Sequence, residues 1–339
     1  MIRRDIIAIG GSWGAVDAIK QLLRELPGDL AATLFIAIHV GARGNDLLAE
    51  IFAEQAAITT STARDGDELQ PGHAYVAPAD HHLLLIGGVV RLGHGPRENM
   101  SRPAIDPLLR SVGACFGPRA IGVILTGMLN DGASGLADLK RCGGLTVVQS
   151  PRDAAASDMP WEALRATQVD YRAPLSGLPG LLAELSAQEA GAPIDVPADI
   201  AEEVEIALGT ARTAILPDGL SDVTALTCPA CGGVLSQIRR EPPLRYRCQV
   251  GHAYTAEALV SQQESAVDEA IRLALRVVEE RVTLTEAMRD DAHRAGRRAA
   301  ASSYDERLAE SRAHADVLQQ AIEKTKRPAA GRKRRSVRH

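Results

Sequence analysis

Over the first 190 positions, short unbroken apolar runs alternate with segments whose apolar residues recur every three to four places. The first run, Ile6-Ile7-Ala8-Ile9, shows no polar alternation, as expected of a strand buried on both faces of a parallel sheet. Gly10-Gly11-Ser12-Trp13-Gly14-Ala15 follows, and then helical spacing through Leu23. Thr33 to Val40 reads as a second strand that carries His39 at its end, and Asn45 to Gln55 as a helix. Gly72 to Ala77 is a further strand, and His82 to Leu92 a hairpin turned at Gly87-Gly88. Pro103 to Phe116 is a helix with proline in its first turn, and Ile121 to Thr126 a buried strand. A helix through Arg141, a strand from Gly144 to Gln149 and a helix from Gly177 to Glu189 complete the series. The alternation predicts an α/β fold: a doubly wound, mainly parallel sheet with helices on both faces.

The pattern changes after residue 190. Two prolines and few large apolar residues mark Gly191 to Pro197, so 191–222 is read as a linker. A small cysteine-bearing unit spans 223–254. From 255 to 324 the chain is rich in Ala, Glu, Arg and Leu, and Ile271, Leu275, Val278 and Val282 form one stripe. A break within Gly296 to Ser303 predicts an antiparallel helix pair, and 325–339 reads as a disordered basic tail.

Composition adds three constraints. Aromatics are only 3% of the 339 residues, so the core rests on Ala, Val, Ile and Leu. No apolar run reaches the length of a membrane span, and the N-terminus lacks a signal-peptide pattern, so a cytoplasmic protein is expected. Net charge is −5, yet the stretch from Lys324 to His339 holds eight basic residues and no acid, leaving a more acidic body. Such a tail reads as solvated in preference to a nucleic-acid or membrane anchor.

The chemistry gathers at strand ends. Ser12, His39 and Asp131 each follow a predicted strand, where functional residues of open α/β sheets collect. Serine, histidine and an acid at one rim suit nucleophilic hydrolysis, with histidine moving the proton and the acid fixing its tautomer. Gly10-x-Ser12-x-Gly14 between strand and helix has the form of a nucleophile elbow, although Ser12 could equally cap the helix. The order Ser, His, Asp departs from the α/β-hydrolases, where histidine comes last. A dinucleotide site would want an acid at the end of the second strand, where His39 stands. His81 and His82 compete with His39 from the start of a strand and read as structural or substrate-facing. Asp106 competes with Asp131 from inside a helix.

Five segments in order carry a resemblance over the first 190 residues: Ile7-Ala8-Ile9-Gly10-Gly11-Ser12, Ile38-His39, Tyr75 to Leu83, Ser101 to Leu108, and Leu125 to Ala133. In these the chain resembles the catalytic domain of the chemotaxis protein-glutamate methylesterases, the CheB family. The resemblance implies Ser12 as nucleophile, His39 as general base and Asp131 as orienting acid. It places Met128 at the oxyanion, through its backbone N–H, with Gly127 and Trp13 lining the site. It implies a serine esterase that removes methyl groups from glutamates of chemoreceptor-like proteins, with glutamine deamidation a related activity and no cofactor for the chemistry. Two departures stand out. The sequence starts directly at the esterase's first strand, so no attached receiver domain is expected, and bulky Trp13 stands where the family has a small polar residue. A non-catalytic receptor-binding adaptor on the same fold is the other reading, which has no need of all three polar residues.

Cys228-Pro-Ala-Cys231-Gly-Gly and Cys248-Gln-Val-Gly-His252 supply four ligands for a closed tetrahedral zinc, hence a structural one. A redox Cys-x-x-Cys is the competing reading, and the nearby Cys248 and His252 argue against it. Behind the expected linker, this unit and its helical arm would leave small-ester hydrolysis untouched and serve to dock partners. C-terminal extensions of this kind resemble those of stand-alone methylesterases.

Overall fold

The computed structural model describes residues 2–39, 47–210, 221–239 and 243–326. The start of the helix expected at Asn45 and the tail from 327 lie outside the described residues.

The chain runs β1 (Ile6–Gly11), α1 (Ala15–Glu25), β2 (Thr33–Ile38), α2 (Leu48–Ala53), β3 (Thr59–Thr62) and β4 (His73–Val76). A hairpin of β5 (His82–Ile86) and β6 (Val89–Gly93) leads into α3 (Ile105–Phe116) and β7 (Ala120–Ile124). Then come α4 (Ala133–Arg141), β8 (Leu145–Gln149), α5 (Asp158–Ala166), β9 (Tyr171–Ala173) and α6 (Leu178–Ala187). The main sheet has the order β3-β4-β2-β1-β7-β8-β9, every neighbouring pair parallel. Both faces of β1 are covered, which explains its unbroken apolar run. Ile7 and Ile9 pack into one cluster with α1 and α6, Ile6 and Ala8 into another with α3 and α4. Gly10 is required because Ile105 of α3 lies 2.1 Å from where its Cβ would be.

The chain leaves β1 toward β2 on one side and returns to β7 on the other, so β1 and β7 flank the switch point of the sheet. A crevice at the carboxyl ends of the strands is expected there.

The stretch read as a linker contains α7 (Ala198–Leu208). Its Ile200, Val204 and Ala207 are buried at helical spacing, a pattern that the preceding prolines obscured. Gly209, with φ 91°, ends it in the left-handed conformation suited to glycine.

Four antiparallel strands follow: β10 (Ser221–Thr227), β11 (Val234–Ile238), β12 (Arg245–Cys248) and β13 (Ala253–Thr255). They belong to the same compact unit as the main sheet, which runs to Leu259. Their own cluster is small (Cys228, Leu235, Cys248, Tyr254 and Leu259) and Met100 of the main body packs against it.

Buried charge fastens the two sheets together. Arg245 pairs bidentately with Glu203 of α7 at 3.0 and 2.9 Å. Arg110 of α3 reaches Glu98 at 3.2 Å, Asp138 at 2.9 Å and Glu203 at 2.9 Å. Arg247 adds contacts to Glu98 at 3.4 Å and Glu203 at 3.3 Å. All six side chains are buried, and the arginines hold Glu98 and Glu203 ionised against a burial penalty that works the other way.

Residues from Val260 form a second unit. Helix α8 (Ala256–Arg294) and α9 (Arg298–Lys326) are antiparallel, with Arg289–Asp305 at 3.8 Å and Arg312–Glu286 at 2.5 Å. The break is confined to Ala295–Arg297 around Gly296, shorter than the expected stretch to Ser303. Among the described residues no helix is long and apolar enough to cross a membrane.

Candidate active site and metal centre

Ser12 and His39 are placed by strand register. Gly11 of β1 pairs with Ile38 of β2, and Ser12 and His39 are the next residue on each strand. The backbone N–H of Ser12 donates to Thr126 O beyond β7 at 3.0 Å, so the serine sits at the switch point. The turn is relieved at Gly14, φ 79°, and Ser12 itself is not among the residues with positive φ. This differs from a nucleophile elbow, where the serine occupies the strained position. Gly14 is the N-cap of α1 and no side chain caps that helix, so the Ser12 hydroxyl does not serve as a cap.

Asp131 comes from the loop between β7 and α4. Its Oδ2 lies 2.5 Å from His39 Nε2 and accepts from Ile105 N–H at 2.7 Å. Its Oδ1 accepts from the Asn99 amide at 2.9 Å and from Asp106 N–H at 3.3 Å. Burial alone pushes this carboxyl up. The hydrogen bond and charge of His39, helped by Ile105 and Asn99, bring it down to about 2. With Nε2 engaged, Nδ1 is the imidazole nitrogen left to face a serine hydroxyl.

Asp106 is buried beside Asp131 and does not bond His39. It accepts from Gly135 N–H at 2.6 Å and from Asn99 at 3.0 Å. Burial, and then the Asp131 charge, raise it to about 7. His82 is buried too, linked to Pro96 O at 3.1 Å and accepting from Ala104 N–H at 3.3 Å. Burial lowers its affinity for a proton, and its place is structural. His81 contacts Ala79 O and the ring of His94.

Gly127 adjoins the serine: a Cβ there would meet Ser12 Cβ at 3.1 Å and Met159 at 2.7 Å. Its N–H is already given to Ala156 O, so Gly127 shapes the site without being a free donor. The backbone N–H groups of Met128 and Trp13 have no partner among the described residues. Trp13, Met128 and Leu129 expose 59%, 54% and 42% of their surface, an apolar rim around the serine. Trp13 also borders a cleft with Asp17, Thr126, Gln149 and Asp153.

The second cluster is the set Cys228, Cys231, Cys248 and His252, whose ligand atoms lie within 4.8 Å of one another. Cys231 and Cys248 sulfurs are 3.7 Å apart, too far for a disulfide. His252 Nδ1 is 3.7 Å from Cys228 Sγ and 3.5 Å from Cys248 Sγ. Tetrahedral zinc, with bonds of about 2.3 Å to sulfur and about 2.0 Å to nitrogen, sets these separations near about 3.8 and about 3.5 Å. The residues therefore fit the ion. Gly232 and Gly251, at φ 72° and 108°, turn the two knuckles. Tyr254 lies 3.3 Å from Cys228 Sγ, placed to donate its hydroxyl to the sulfur.

The sequence reading missed Asn99, Asn130 and Thr255. Asn99 and Met100 both take positive φ, 48° and 67°, although neither is a glycine, and no motif spacing marks them.

Fold and site define a doubly wound α/β protein with serine, histidine and aspartate gathered at the switch point of its sheet. The family model described as CheB methylesterase matches residues 7–182. The chain belongs to that family. A relative in Yersinia pestis bv. Antiqua, called protein-glutamate methylesterase/protein-glutamine glutaminase, is 42% identical over 163 residues, covering 47% of this chain and 46% of its own. The chain spans about half the length of such relatives. A putatively so named protein of Leptospira interrogans serogroup Icterohaemorrhagiae is 39% identical over 168 residues, 49% of this chain and 87% of that protein. The solved catalytic domain of Thermotoga maritima CheB methylesterase superposes with TM-score 0.51 and 30% identity, over 53% of this chain and 98% of that one.

Proposed function

We propose that this chain is a serine esterase that hydrolyses glutamate methyl esters on methylated chemoreceptor-like proteins, acting in the cytoplasm. The observation that carries the reading is the His39–Asp131 pair beside Ser12 at the switch point. Ser12 Oγ attacks the ester carbonyl while His39 Nδ1 takes its proton. The anionic tetrahedral oxygen is held by backbone N–H groups, Met128 foremost, a contribution of about 3 kcal/mol per donor. His39 returns the proton to the methoxy group, and methanol leaves an acyl-Ser12. Water, deprotonated by His39, then releases the glutamate carboxylate and restores the serine. Asp131 fixes the imidazole tautomer and stabilises the imidazolium. A glutamine amide would follow the same path and lose ammonia, in keeping with the double name of the relatives. No further group is needed for these steps. The exposed Trp13, Met128 and Leu129 offer a receptor helix an apolar landing.

The test is incubation with a receptor carrying tritiated methyl esters. Volatile radioactive methanol is expected to accumulate with time. A folded protein that hydrolyses a small ester but releases no methanol from receptor would refute the substrate assignment.

Zinc at the Cys3His centre would be structural, since four protein ligands leave no open position for water. Purified protein is expected to carry one zinc per chain by elemental analysis, and Cys231→Ser to lose it. A metal-free chain with fully reactive thiols would end this assignment. The helical arm is proposed as the partner-docking element.

A further inference from the structure

The link between the metal centre and the active site runs through a few hydrogen bonds. Strand β13 begins at Ala253, directly after the ligand His252. Ala253 O accepts from the backbone N–H of Asn99 at 2.8 Å. Two residues on, Thr255 N–H donates to Asn99 Oδ1 at 3.0 Å. Asn99 is thereby gripped through backbone and side chain, and its amide nitrogen is turned onto Asp131 and Asp106. A second hold acts on Asn130, the neighbour of Asp131. Thr255 Oγ1 donates to Asn130 Oδ1 at 2.6 Å, and Asn130 donates to Glu257 at 2.7 Å. Asn130, Asp131 and Thr255 are buried, so the bond between Thr255 and Asn130 is shielded from bulk water, whereas Asn99 is half-buried and Glu257 exposed.

We propose that Asn99 is a positioning residue for Asp131, and that the metal-bound knuckles hold Asn99 in place through β13, making the metal centre a brace of the esterase site. This rests on Asp131 being the acid that orients His39. The amide of Asn99 can donate to Asp131 only while its oxygen is occupied by Thr255 N–H, because that contact fixes which way the amide faces. Releasing the knuckles removes the anchor next to Ala253, so that β13, still paired with β12, loosens its two holds on Asn99 together. The expected separation of the zinc unit from small-ester catalysis is thus replaced by a dependence on it.

Asn99→Gly is the informative variant. Glycine accepts the φ of 48° without strain and keeps the backbone bond to Ala253, so only the side-chain amide is removed. Hydrolysis of p-nitrophenyl acetate is expected to fall by about ten- to a hundred-fold, the range of hydrogen bonds to charged groups. Asn99→Asp should fall further, because it sets a carboxylate where the donor faced Asp131. The low-field proton resonance of the His39–Asp131 bond, identified by its absence in His39→Gln, should shift or vanish in Asn99→Gly while one zinc stays bound. Zinc-stripped wild-type chain should show the same loss and the same change of resonance, with circular dichroism reporting the main sheet intact. Unchanged turnover and resonance in either protein would overturn the proposal. Should Asn99→Gly fail to fold, the stripped chain decides, together with Thr255→Val, which keeps the backbone grip on Asn99 and loses the hydroxyl's bonds to Asn130 and from Ala258 N–H. A small ester reads the site whatever its protein substrate is. Intact ester turnover without methanol release from receptor would therefore refute the substrate and leave the brace standing.

Discussion

Ser12→Ala is expected to lower methanol release by at least about a thousand-fold, since loss of a nucleophile in a serine–histidine–aspartate set typically removes far more than that. Stability should stay within about 0.5 kcal/mol, as for surface changes away from buried networks. The hydroxyl caps no helix and makes no hydrogen bond among the described residues, so its removal leaves no buried partner unpaired. Denaturant unfolding and methanol release measured on one preparation check both halves. A variant that keeps more than about a hundredth of the activity would show that another group attacks the ester.

The second large effect is on stability. Glu203→Gln should cost about 3 to 5 kcal/mol, because it removes one carboxylate from beneath three buried arginines. Arg110, Arg245 and Arg247 all reach Glu203 within 3.3 Å. Arg110 Nη2 lies 2.9 Å away but off the hydrogen-bonding direction, so its gain is mainly charge attraction. Linkage gives the pH dependence. The folded pKa of Glu203 lies below its usual 4.5, so its stabilisation is complete above that pH and fades as the carboxyl protonates below it. The variant's deficit should accordingly be widest near neutrality and narrow in acid, as read from urea midpoints across pH. A deficit under about 1 kcal/mol at neutral pH would mean that the arginines are balanced without Glu203.

The main sheet was legible because its strands are buried on both faces, and an unbroken apolar run such as Ile6–Ile9 has few other uses. The gathering of Ser12, His39 and Asp131 was legible for a related reason: parallel strands deliver their carboxyl ends to one rim. What escaped notice depended on contacts distant in sequence. Helix α7 follows a proline-rich approach, and its acidic face looks solvated until Glu203 is seen against Arg245. Arg245 and Arg247 alternate with Tyr246 in β12, a pattern that reads as an exposed strand, yet both arginines are buried. Asn99 carries no motif, since its value lies in partners at positions 131 and 255. The cluster of Cys228, Cys231, Cys248 and His252 was readable because its spacing within the chain is short, whereas the contacts of β13 with Asn99 join distant positions.

The cluster of Glu98, Asp138 and Glu203 around Arg110, Arg245 and Arg247 also restricts how this chain can diverge. Three residues of each sign are divided between the main body and the small sheet, so neither part carries a balanced set of its own. A single drift in charge on one side strands an ion on the other. The passable routes are exchanges made in concert, or wholesale conversion to apolar side chains of similar volume, which buried ion groups often tolerate. A saturation scan should therefore accept paired changes across residues 98, 203 and 245 that it rejects one at a time. The main body and its small sheet are in this sense inherited as one piece.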